Sequence, residues 1–388
     1  MNEPLVERMR SYGETIFAEM SALALELGAI NLGQGFPDTD GPAGMLEAAT
    51  RAIRTGANQY PPGPGIPQLR EAVAAQRLDR YGVQYDPAGE IFITVGATEA
   101  IAASILALCE SGDEVVVFEP WYDSYPPVVS LAGATRRNVR LRPEGPGGRF
   151  TFDPKELRGA FGPKTRAVIV NSPHNPTGTV FTRAELEEIA ALCREFDVIA
   201  ITDEVYEYLT YDGIEHISLA SLPEMRERTI AISSAGKSFS ATGWKTGWAC
   251  APAPLISAIQ TVKQFTTYAT NGVFQAAVAH ALTEELPWLE KLRADLQSKR
   301  DRLRSGLAAA GFDVYECDGT YFVQVDVRSV GVSDGTAFAR ELPKRAGIVA
   351  IPGSAFYDDK EAGRPFIRFA FCKRDEIIDE AVARLRAL

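Results

Sequence analysis

The chain has 388 residues, 46% of them hydrophobic, and its 40 Lys and Arg against 51 Asp and Glu give a net charge of −11. Single cores stop growing near about 250–300 residues, so this length predicts one large domain and a smaller one. The acidic balance argues against a surface that binds nucleic acid or an anionic membrane, because such surfaces need clustered Lys and Arg. Small molecules are therefore the expected partners.

Membrane, metal and disulfide chemistry are not expected from the sequence. The apolar stretches are far shorter than the roughly 20 residues that span a bilayer, and the mixed charge of residues 1–8 is unlike an export signal. The five cysteines form no C-x-x-C pair, and the three histidines are not spaced as metal ligands. We therefore predict no membrane span, no metal, reduced thiols and a cytoplasmic location.

Apolar periodicity predicts alternating helices and strands along most of the chain. A first helix over residues 12–27 ends at Gly28. The elements predicted after it are helices 45–54 and 67–80, strand 91–95, helix 98–108, strands 115–119 and 167–171, helix 183–195, strands 198–203 and 229–233, helical stretches 255–283 and 287–310, and an α/β tail at 321–327, 336–345, 367–371 and 374–388.

This alternation predicts an α/β fold with a mostly parallel central sheet covered by helices, plus a small α/β domain. Ligands of such sheets bind at the carboxyl ends of the strands. The N-terminal segment is too short to build its own core. We therefore predict a large domain over residues 45–285 and a small domain built from both chain ends, 1–44 and 286–388.

The segment 233–245, Ser-Ser-Ala-Gly-Lys-Ser-Phe-Ser-Ala-Thr-Gly-Trp-Lys, carries the chemistry. Residues 236–238, Gly-Lys-Ser, match the end of a phosphate-binding P-loop, but Ala231 stands where that motif needs its first glycine. A P-loop nucleotide hydrolase is thus a remote alternative. In the other interpretation Lys237 binds an aldehyde, while Lys245 meets a phosphate and helps to lower the pKa of Lys237.

Ser-x-x-Lys followed eight residues later by Lys resembles the pyridoxal-phosphate (PLP) lysine segment of class I, fold type I aminotransferases. Three more elements follow the order of that family: Asn-Ser-Pro-His-Asn-Pro-Thr-Gly at 171–178, Thr-Asp-Glu-Val-Tyr at 202–206, and Phe-Ile-Arg-Phe at 366–369. The resemblance extends from residues 31–38 to the C-terminal helix. It implies a fold type I PLP-transferase with pyridoxal 5′-phosphate as cofactor.

The resemblance assigns roles to the residues around the cofactor ring. The ring acts as an electron sink, and the protein binds and orients it. Lys237 is expected to form the Schiff base and then to act as general base. Asp203 is expected to keep the pyridine nitrogen protonated, and Tyr206 and Asn175 to bond the phenolic oxygen. Tyr122 matches the aromatic residue that stacks on the ring.

The resemblance also assigns a phosphate site. The backbone N–H groups of Ala97 and Thr98 follow a strand and open a helix, which makes an anion site. Ser234 and Lys245 match the remaining phosphate ligands. Tyr60 resembles the tyrosine that reaches the phosphate of the neighbouring subunit, which implies a homodimer with shared active sites.

Substrate binding is expected to centre on Arg368, which would clamp the α-carboxylate bidentately with Asn175 and the backbone of Gly35 as its partners. Phe17 and the segment 265–271, together with Tyr60 of the partner and Tyr122, are expected to wall the side-chain pocket. Aromatic walls suit large, apolar or amphipathic side chains.

Several strings are similar to narrower groups. Residues 33–38, 118–125 and 233–245 are similar to the kynurenine aminotransferase/glutamine transaminase K subgroup, and residues 58–65, 94–103 and 371–375 to an actinobacterial N-succinyldiaminopimelate aminotransferase branch. The expected donors are N-succinyl-LL-2,6-diaminopimelate or a kynurenine, glutamine, methionine or aromatic amino acid, and the expected acceptor is a 2-oxo acid such as 2-oxoglutarate.

Other interpretations of the sequence remain open beside this one. A cysteine-S-conjugate β-lyase on the same site is the alternative activity, and a PLP-binding regulator is weaker because the chain has no room for a helix-turn-helix domain before residue 12. Arg136 and Arg137 are unplaced candidates for binding a distal carboxylate. We interpret His174 as a turn residue rather than a base.

Overall fold

A computed structural model of the chain describes residues 4–13 and 15–388. Residues 1–3 and 14, which belong to the predicted small domain and first helix, lie outside that description. The helices are α1 Ile16–Leu27, α2 Ala43–Arg54, α3 Pro67–Tyr81, α4 Gly96–Leu108, α5 Tyr125–Leu131, α6 Pro154–Ala160, α7 Arg183–Glu195, α8 Ala235–Ser238, α9 Ala253–Lys263, α10 Gly272–Glu284, α11 Leu286–Ala309, α12 Gly335–Ala346, α13 Lys360–Gly363 and α14 Asp375–Arg386.

The strands are short and most of them are buried. They are β1 Ile30–Asn31, β2 Ile91–Val95, β3 Glu114–Glu119, β4 Thr135–Arg140, β5 Arg142–Pro143, β6 Phe150–Thr151, β7 Thr165–Asn171, β8 Ile199–Asp203, β9 Thr229–Ser234, β10 Thr246–Cys250, β11 Asp313–Val314, β12 Phe322–Asp326, β13 Ile348–Val349, β14 Ile351–Pro352 and β15 Phe366–Ala370.

A seven-stranded sheet in the order β2-β10-β9-β8-β7-β3-β4 forms the centre of the chain. The strands from β9 to β4 are parallel to their neighbours, whereas β10 runs antiparallel to both β9 and β2. The predicted α/β fold with a mostly parallel sheet is therefore confirmed. Its edge at the ends of β7, β8 and β9 is the one where ligands of such sheets bind.

Helices cover both faces of this sheet, so its strands are apolar runs rather than alternating patterns. Successive residues of β2 show the two faces. Ile91 and Ile93 pack in a cluster with α2, α3 and α10, whereas Phe92 packs in a cluster with α4, α5 and α9. A capping box opens α7, with Thr182 and Glu185 each bonding the backbone of the other.

The two chain ends lie against each other. Strand β1 pairs in parallel with β13, and the Leu32 carbonyl accepts a hydrogen bond of 2.6 Å from the Ala370 N–H. A four-stranded antiparallel sheet, β11-β12-β15-β14, lies beside them. The strand that carries Arg368 is thus held next to the N-terminal segment that carries Gly35.

The predicted helix over 255–283 is wrong, because the structure has two helices, α9 and α10, joined by residues 264–271. Tyr268 in this connection has a φ of 64°, and Asn271 caps α10 by accepting the N–H groups of Val273 and Phe274. An asparagine cap starts a new helix, and apolar spacing alone does not reveal that break. Strands β4 and β10 and helix α5 were also not predicted.

Three further findings concern the predicted absences and cysteines. Among the described residues, no helix combines the length and apolar character that a membrane crossing requires. Nor do residues 4–13 and 15–388 contain three or more His, Cys, Asp or Glu side chains grouped to hold a metal ion. The five cysteines are all buried thiols.

Gly247 on β10 allows the close approach of that strand to the turn at the start of α4. A Cβ atom at Gly247 would lie 2.6 Å from the carbonyl carbon of Gly96 and 2.8 Å from the Ala97 nitrogen. We expect Gly247→Ala to lower the free energy of unfolding by about 1–3 kcal/mol, the usual cost of overpacking, as measured by urea denaturation. Gly243→Ala is the matched control because a Cβ there meets open space; an equal loss in both variants would contradict the prediction.

Candidate active site

A cavity of about 330 Å³ opens at the carboxyl ends of β7, β8 and β9 and beside the start of α4. It is lined by every predicted site residue except Tyr60: Phe17, Gly35, Ala97, Thr98, Tyr122, Asn175, Asp203, Tyr206, Ser234, Lys237, Lys245 and Arg368. These residues come from separate strands, helices and loops. The tertiary fold brings them together around one space large enough for a small molecule.

Lys237 lies in the short helix α8, directly after β9, and its side chain faces the cavity. Its Nζ donates a hydrogen bond of 3.3 Å to the Gly35 carbonyl. Burial is the main reason that the pKa of Lys237 falls to about 8, and the charges of Arg368 and Lys245 lower it further. The predicted effect of Lys245 is therefore present but secondary to desolvation.

Asp203 ends strand β8 and is 4% exposed. Its Oδ2 accepts a hydrogen bond of 2.6 Å from the Tyr125 hydroxyl, and its Oδ1 accepts one of 3.3 Å from the Val205 N–H. Burial raises the pKa of Asp203, while the Tyr125 bond and the nearby Lys237 charge lower it. A carboxylate held in this way can neutralise a cationic ring nitrogen in the cavity.

Tyr125, which bonds Asp203, was not among the predicted site residues. It lies three residues after Tyr122, on α5, and its ring meets the Tyr122 ring edge-on at 5.7 Å. The only sequence signal is this spacing within the string 118–125. The contact with Asp203 joins residues 78 positions apart, so only the fold reveals it.

We expect Tyr125→Phe to reduce activity without unfolding the protein. The change removes one buried hydrogen bond to a charged group, worth about 1.5–3 kcal/mol, and raises the pKa of Asp203. The corresponding fall in kcat is roughly ten- to a hundredfold, measured by steady-state kinetics. Tyr12→Phe serves as control because its hydroxyl bonds Ser130 and Arg136 on the other side of α5; equal losses in both variants would argue against the assigned role.

Arg368 is buried on β15 among aromatic rings. Its guanidinium carbon lies 3.8 Å from the ring centre of Phe322, 4.9 Å from that of Phe356 and 5.3 Å from that of Phe17. Burial lowers the pKa of Arg368 to about 10, so the group is still cationic at neutral pH. Within the described part of the chain, its Nε is buried without a hydrogen-bond partner.

Two other groups of the chain bond the Arg368 guanidinium. Nη1 donates to Asn175 Oδ1 at 2.8 Å, and Nη2 donates to the carbonyl of Gly33 at 2.9 Å. The predicted roles of Asn175 and the Gly35 backbone toward a substrate carboxylate stay predictions. The Gly35 carbonyl accepts from the Tyr321 hydroxyl at 2.5 Å and from Lys237. Residues 33, 34 and 36 are bends rather than part of a strand, so no regular alternation shows which carbonyl of this segment faces the arginine.

Aromatic side chains complete the walls of the cavity. The Tyr206 ring meets that of Tyr321 edge-on at 5.2 Å, and burial raises the pKa of Tyr206. Burial raises the pKa of Tyr122 to about 12. Tyr321 and Phe322 were not predicted as site residues, although Phe322 begins the strand next to that of Arg368 and Tyr321 directly precedes it.

One end of the cavity is built to receive an anion. Helix α4, of 13 residues, begins at Gly96 with a φ of 71°, so the N–H groups of Ala97 and Thr98 lie at a helix N-terminus. A Cβ at Gly96 would lie 3.3 Å from Lys245 Nζ, which places that ammonium directly over the turn. Ser234, at the end of β9, lines the same cavity.

Tyr60 is not part of the cavity of its own chain. Its side chain is 84% exposed, and its ring meets the Tyr268 ring edge-on at 5.4 Å. Phe265, in the segment 264–271, is also 84% exposed. The contribution of Tyr60 to a neighbouring subunit and that of the segment 265–271 to the side-chain pocket stay predictions.

The other candidates lie outside the cavity. Arg136 forms a bidentate ion pair with Asp358, at 3.0 Å for both bonds, and Arg137 lies 3.9 Å from Glu114. His174 Nδ1 is 2.8 Å from Thr177 Oγ1 in its own turn, and burial lowers its pKa to about 3. These contacts agree with a turn role for His174 and give no distal-carboxylate role to either arginine.

Residues 28–385 match the family model described as aminotransferase class I and II. The chain belongs to this family. The aminotransferase is 52% identical to the probable N-succinyldiaminopimelate aminotransferase of Mycobacterium tuberculosis, over 99% of this chain and 98% of that one. It is 39% identical to mouse kynurenine–oxoglutarate transaminase 3, over 98% of this chain and 89% of the relative.

A solved structure of N-succinyldiaminopimelate aminotransferase from Mycobacterium tuberculosis superimposes on the aminotransferase with a TM-score of 0.96 and 53% identity, covering 99% of both chains. The resemblance found in the sequence is therefore confirmed: the chain is a transaminase with the fold type I architecture. The remote alternative of a P-loop nucleotide hydrolase is wrong, because the chain matches the aminotransferase family over residues 28–385, which include the Gly-Lys-Ser segment.

Proposed function

We propose that this aminotransferase binds pyridoxal 5′-phosphate in the cavity and moves the amino group of an L-amino acid to a 2-oxo acid such as 2-oxoglutarate. One observation carries the proposal: an amine, a carboxylate and a guanidinium face one cavity, and they belong to Lys237 on α8, Asp203 at the end of β8 and Arg368 on β15. Asp203 and Arg368 are buried and Lys237 is half-buried, and each of the three groups suits a different part of the cofactor or substrate.

The residues present fit the chemistry of this cofactor. The anion end of the cavity, with two helix N–H groups, Ser234 and Lys245, suits a phosphate. Asp203 suits the protonated nitrogen of a pyridine ring, and Tyr206 and Asn175 suit its phenolic oxygen. When bound, pyridoxal phosphate supplies an electron sink that stabilises a carbanion at the substrate α-carbon.

The protein residues supply proton transfer, the protonation of the ring nitrogen and the binding of the substrate carboxylate. Lys237 Nζ, with its pKa near 8, is able to accept the α-proton from the substrate and to return it. Asp203 holds the proton on the ring nitrogen, and Tyr122 restricts the ring from one side. Arg368 binds the α-carboxylate by two parallel hydrogen bonds and so orients the α-carbon toward Lys237.

The substrate side chain would contact aromatic groups. Phe17 and Tyr122 line the cavity in the chain itself, and we propose that Tyr60 and the segment 264–271 of a second copy cover it in a homodimer. The high exposure of Tyr60 and Phe265 supports this arrangement. N-succinyl-LL-2,6-diaminopimelate is the first proposed donor because of the 52% identical relative, and kynurenine, glutamine, methionine and aromatic amino acids follow.

A half-reaction screen tests this proposal. The pyridoxal-phosphate form is mixed with N-succinyl-LL-2,6-diaminopimelate, kynurenine, glutamine and methionine, and conversion to the pyridoxamine form is followed by absorbance. We expect the fastest conversion with the first compound. No conversion with any amino acid would overturn the proposal, and pyruvate and ammonia from a cysteine conjugate would reveal the β-lyase alternative.

The pKa of Lys237 gives a pH-dependent prediction. Only the neutral amine attacks an aldehyde, so the rate at which cofactor-free protein takes up pyridoxal phosphate should rise with pH and level off above about 8. Stopped-flow absorbance measures this rate. A rate that still rises up to the ordinary lysine pKa of about 10.4 would show that burial does not lower the pKa of Lys237.

Two features of the chain stay predictions. We propose the large domain at 45–285 and the small domain at 1–44 and 286–388, and the pairing of β1 with β13 supports this division. The cytoplasmic location predicted from the sequence is not tested by the structure.

A further inference from the structure

Lys263 is a buried cation outside the cavity. It ends helix α9, and its side chain is fully buried. Its Nζ lies 3.5 Å from Glu99 Oε2 and donates to Thr267 Oγ1 at 2.9 Å and to the Tyr268 carbonyl at 3.4 Å. Burying a charge is costly unless it is paired and hydrogen-bonded, so this group of contacts indicates a specific role.

Glu99 uses both of its carboxylate oxygens to connect two segments. On one side, Oε2 accepts a hydrogen bond of 2.7 Å from the Val95 N–H, directly before the turn that opens α4. On the other side, Oε1 accepts a hydrogen bond of 2.5 Å from the Thr267 hydroxyl. The carboxylate therefore joins the anion-binding turn at residues 96–98 to the connection 264–271.

We call residues 264–271 the aromatic loop. The backbone of this loop is held in an unfavourable conformation. Tyr268 has a φ of 64°, a backbone conformation that bulky residues rarely adopt. Its carbonyl is one of the groups bonded by Lys263, and its ring packs on Tyr60. The Lys263–Glu99 pair thus holds the part of the chain that presents the exposed rings of Tyr60, Phe265 and Tyr268.

We propose that Glu99 and Lys263 are a pair of positioning residues. The pair connects the phosphate-binding turn at residues 96–98 to the aromatic loop. The inference rests on the proposed function, because it requires that the turn binds the cofactor phosphate and that the loop contacts substrate. Loss of the pair affects two properties together. It weakens the contribution of the phosphate to cofactor affinity, and it raises KM for substrates with aromatic side chains.

The test uses Glu99→Gln, Lys263→Met and the double variant. Each single change leaves a buried charge unpaired and so destabilises the protein. The double variant removes both charges, and we expect it to fold even where a single variant does not. Affinities of the cofactor-free protein for pyridoxal phosphate and for pyridoxal, which lacks the phosphate, are measured by absorbance titration. Glu195→Gln is the matched control, because Glu195 forms an exposed ion pair with Arg158.

In the double variant we expect pyridoxal phosphate affinity to fall about tenfold, the equivalent of one weakened phosphate contact, with pyridoxal affinity unchanged. KM for phenylalanine and kynurenine should rise several-fold, while kcat and the KM for alanine stay close to those of the wild type. Equal losses for pyridoxal phosphate and pyridoxal, or wild-type values for both affinity and KM, would overturn the inference. If the wild-type protein did not prefer pyridoxal phosphate over pyridoxal, the proposed function itself would fail.

Discussion

Lys237→Ala is expected to abolish the visible absorbance of the lysine-bound cofactor and to lower kcat for transamination by about 10³–10⁴-fold. The magnitude is that of a positioned general acid–base group, and the change also removes the amine that binds the aldehyde covalently. Steady-state kinetics and an absorbance spectrum of the same preparation check both effects. The cavity itself should persist, since Lys237 Nζ makes one hydrogen bond, to the Gly35 carbonyl.

The control for this variant is Lys155→Ala, which removes an exposed lysine on α6. It should keep the absorbance and the turnover of the wild-type protein. A Lys237→Ala protein with full absorbance and full turnover would contradict the assignment of Lys237 as the cofactor-binding lysine, and it would contradict the proposed reaction.

Arg368→Gln is expected to lower kcat/KM for α-amino acids by about 10²–10³-fold, because the variant lacks the buried guanidinium that pairs with the substrate carboxylate. Arg368→Lys should recover only part of the activity, since an ammonium is a point charge and cannot form the two parallel bonds of a guanidinium. The cofactor absorbance should remain in both variants. Steady-state kinetics with several amino acids measures the effect.

Two comparisons make the arginine prediction specific. Arg158→Gln, at an exposed ion pair with Glu195, should leave kcat/KM unchanged. Primary amines without a carboxylate should react equally slowly with wild-type and Arg368→Gln protein. If the variant lost as much activity toward such amines as toward amino acids, Arg368 would have a structural role rather than a carboxylate-binding one.

Much of the site was predictable because its residues lie in short local patterns. The aspartate at 203 ends a strand, the lysine at 237 and the asparagine at 175 lie within four residues after one, and strand ends of a parallel sheet meet at one edge. Most helix and strand positions were also predictable, since burial on both sheet faces leaves an apolar run in the sequence. The capping box of α7 is the clearest case, because its two residues interact within one turn.

Other features were not predictable because they depend on contacts between distant residues. Tyr125 meets Asp203 across 78 positions, and the Gly33 carbonyl meets Arg368 across 335. The break between α9 and α10 is similar: apolar spacing continues through it, while Asn271 and the Lys263–Glu99 contacts determine where the helices end and begin.

The sequence by itself indicated the alternation of helices and strands over most of the chain and the candidate chemical groups, a lysine, an aspartate and an arginine in recognisable local patterns. Only the tertiary structure decided which carbonyl bonds the arginine, which tyrosine bonds the aspartate and what lowers the pKa of Lys237. The reason is physical: hydrogen bonds and desolvation depend on distances that folding sets, whereas residue type and local periodicity are properties of the chain alone.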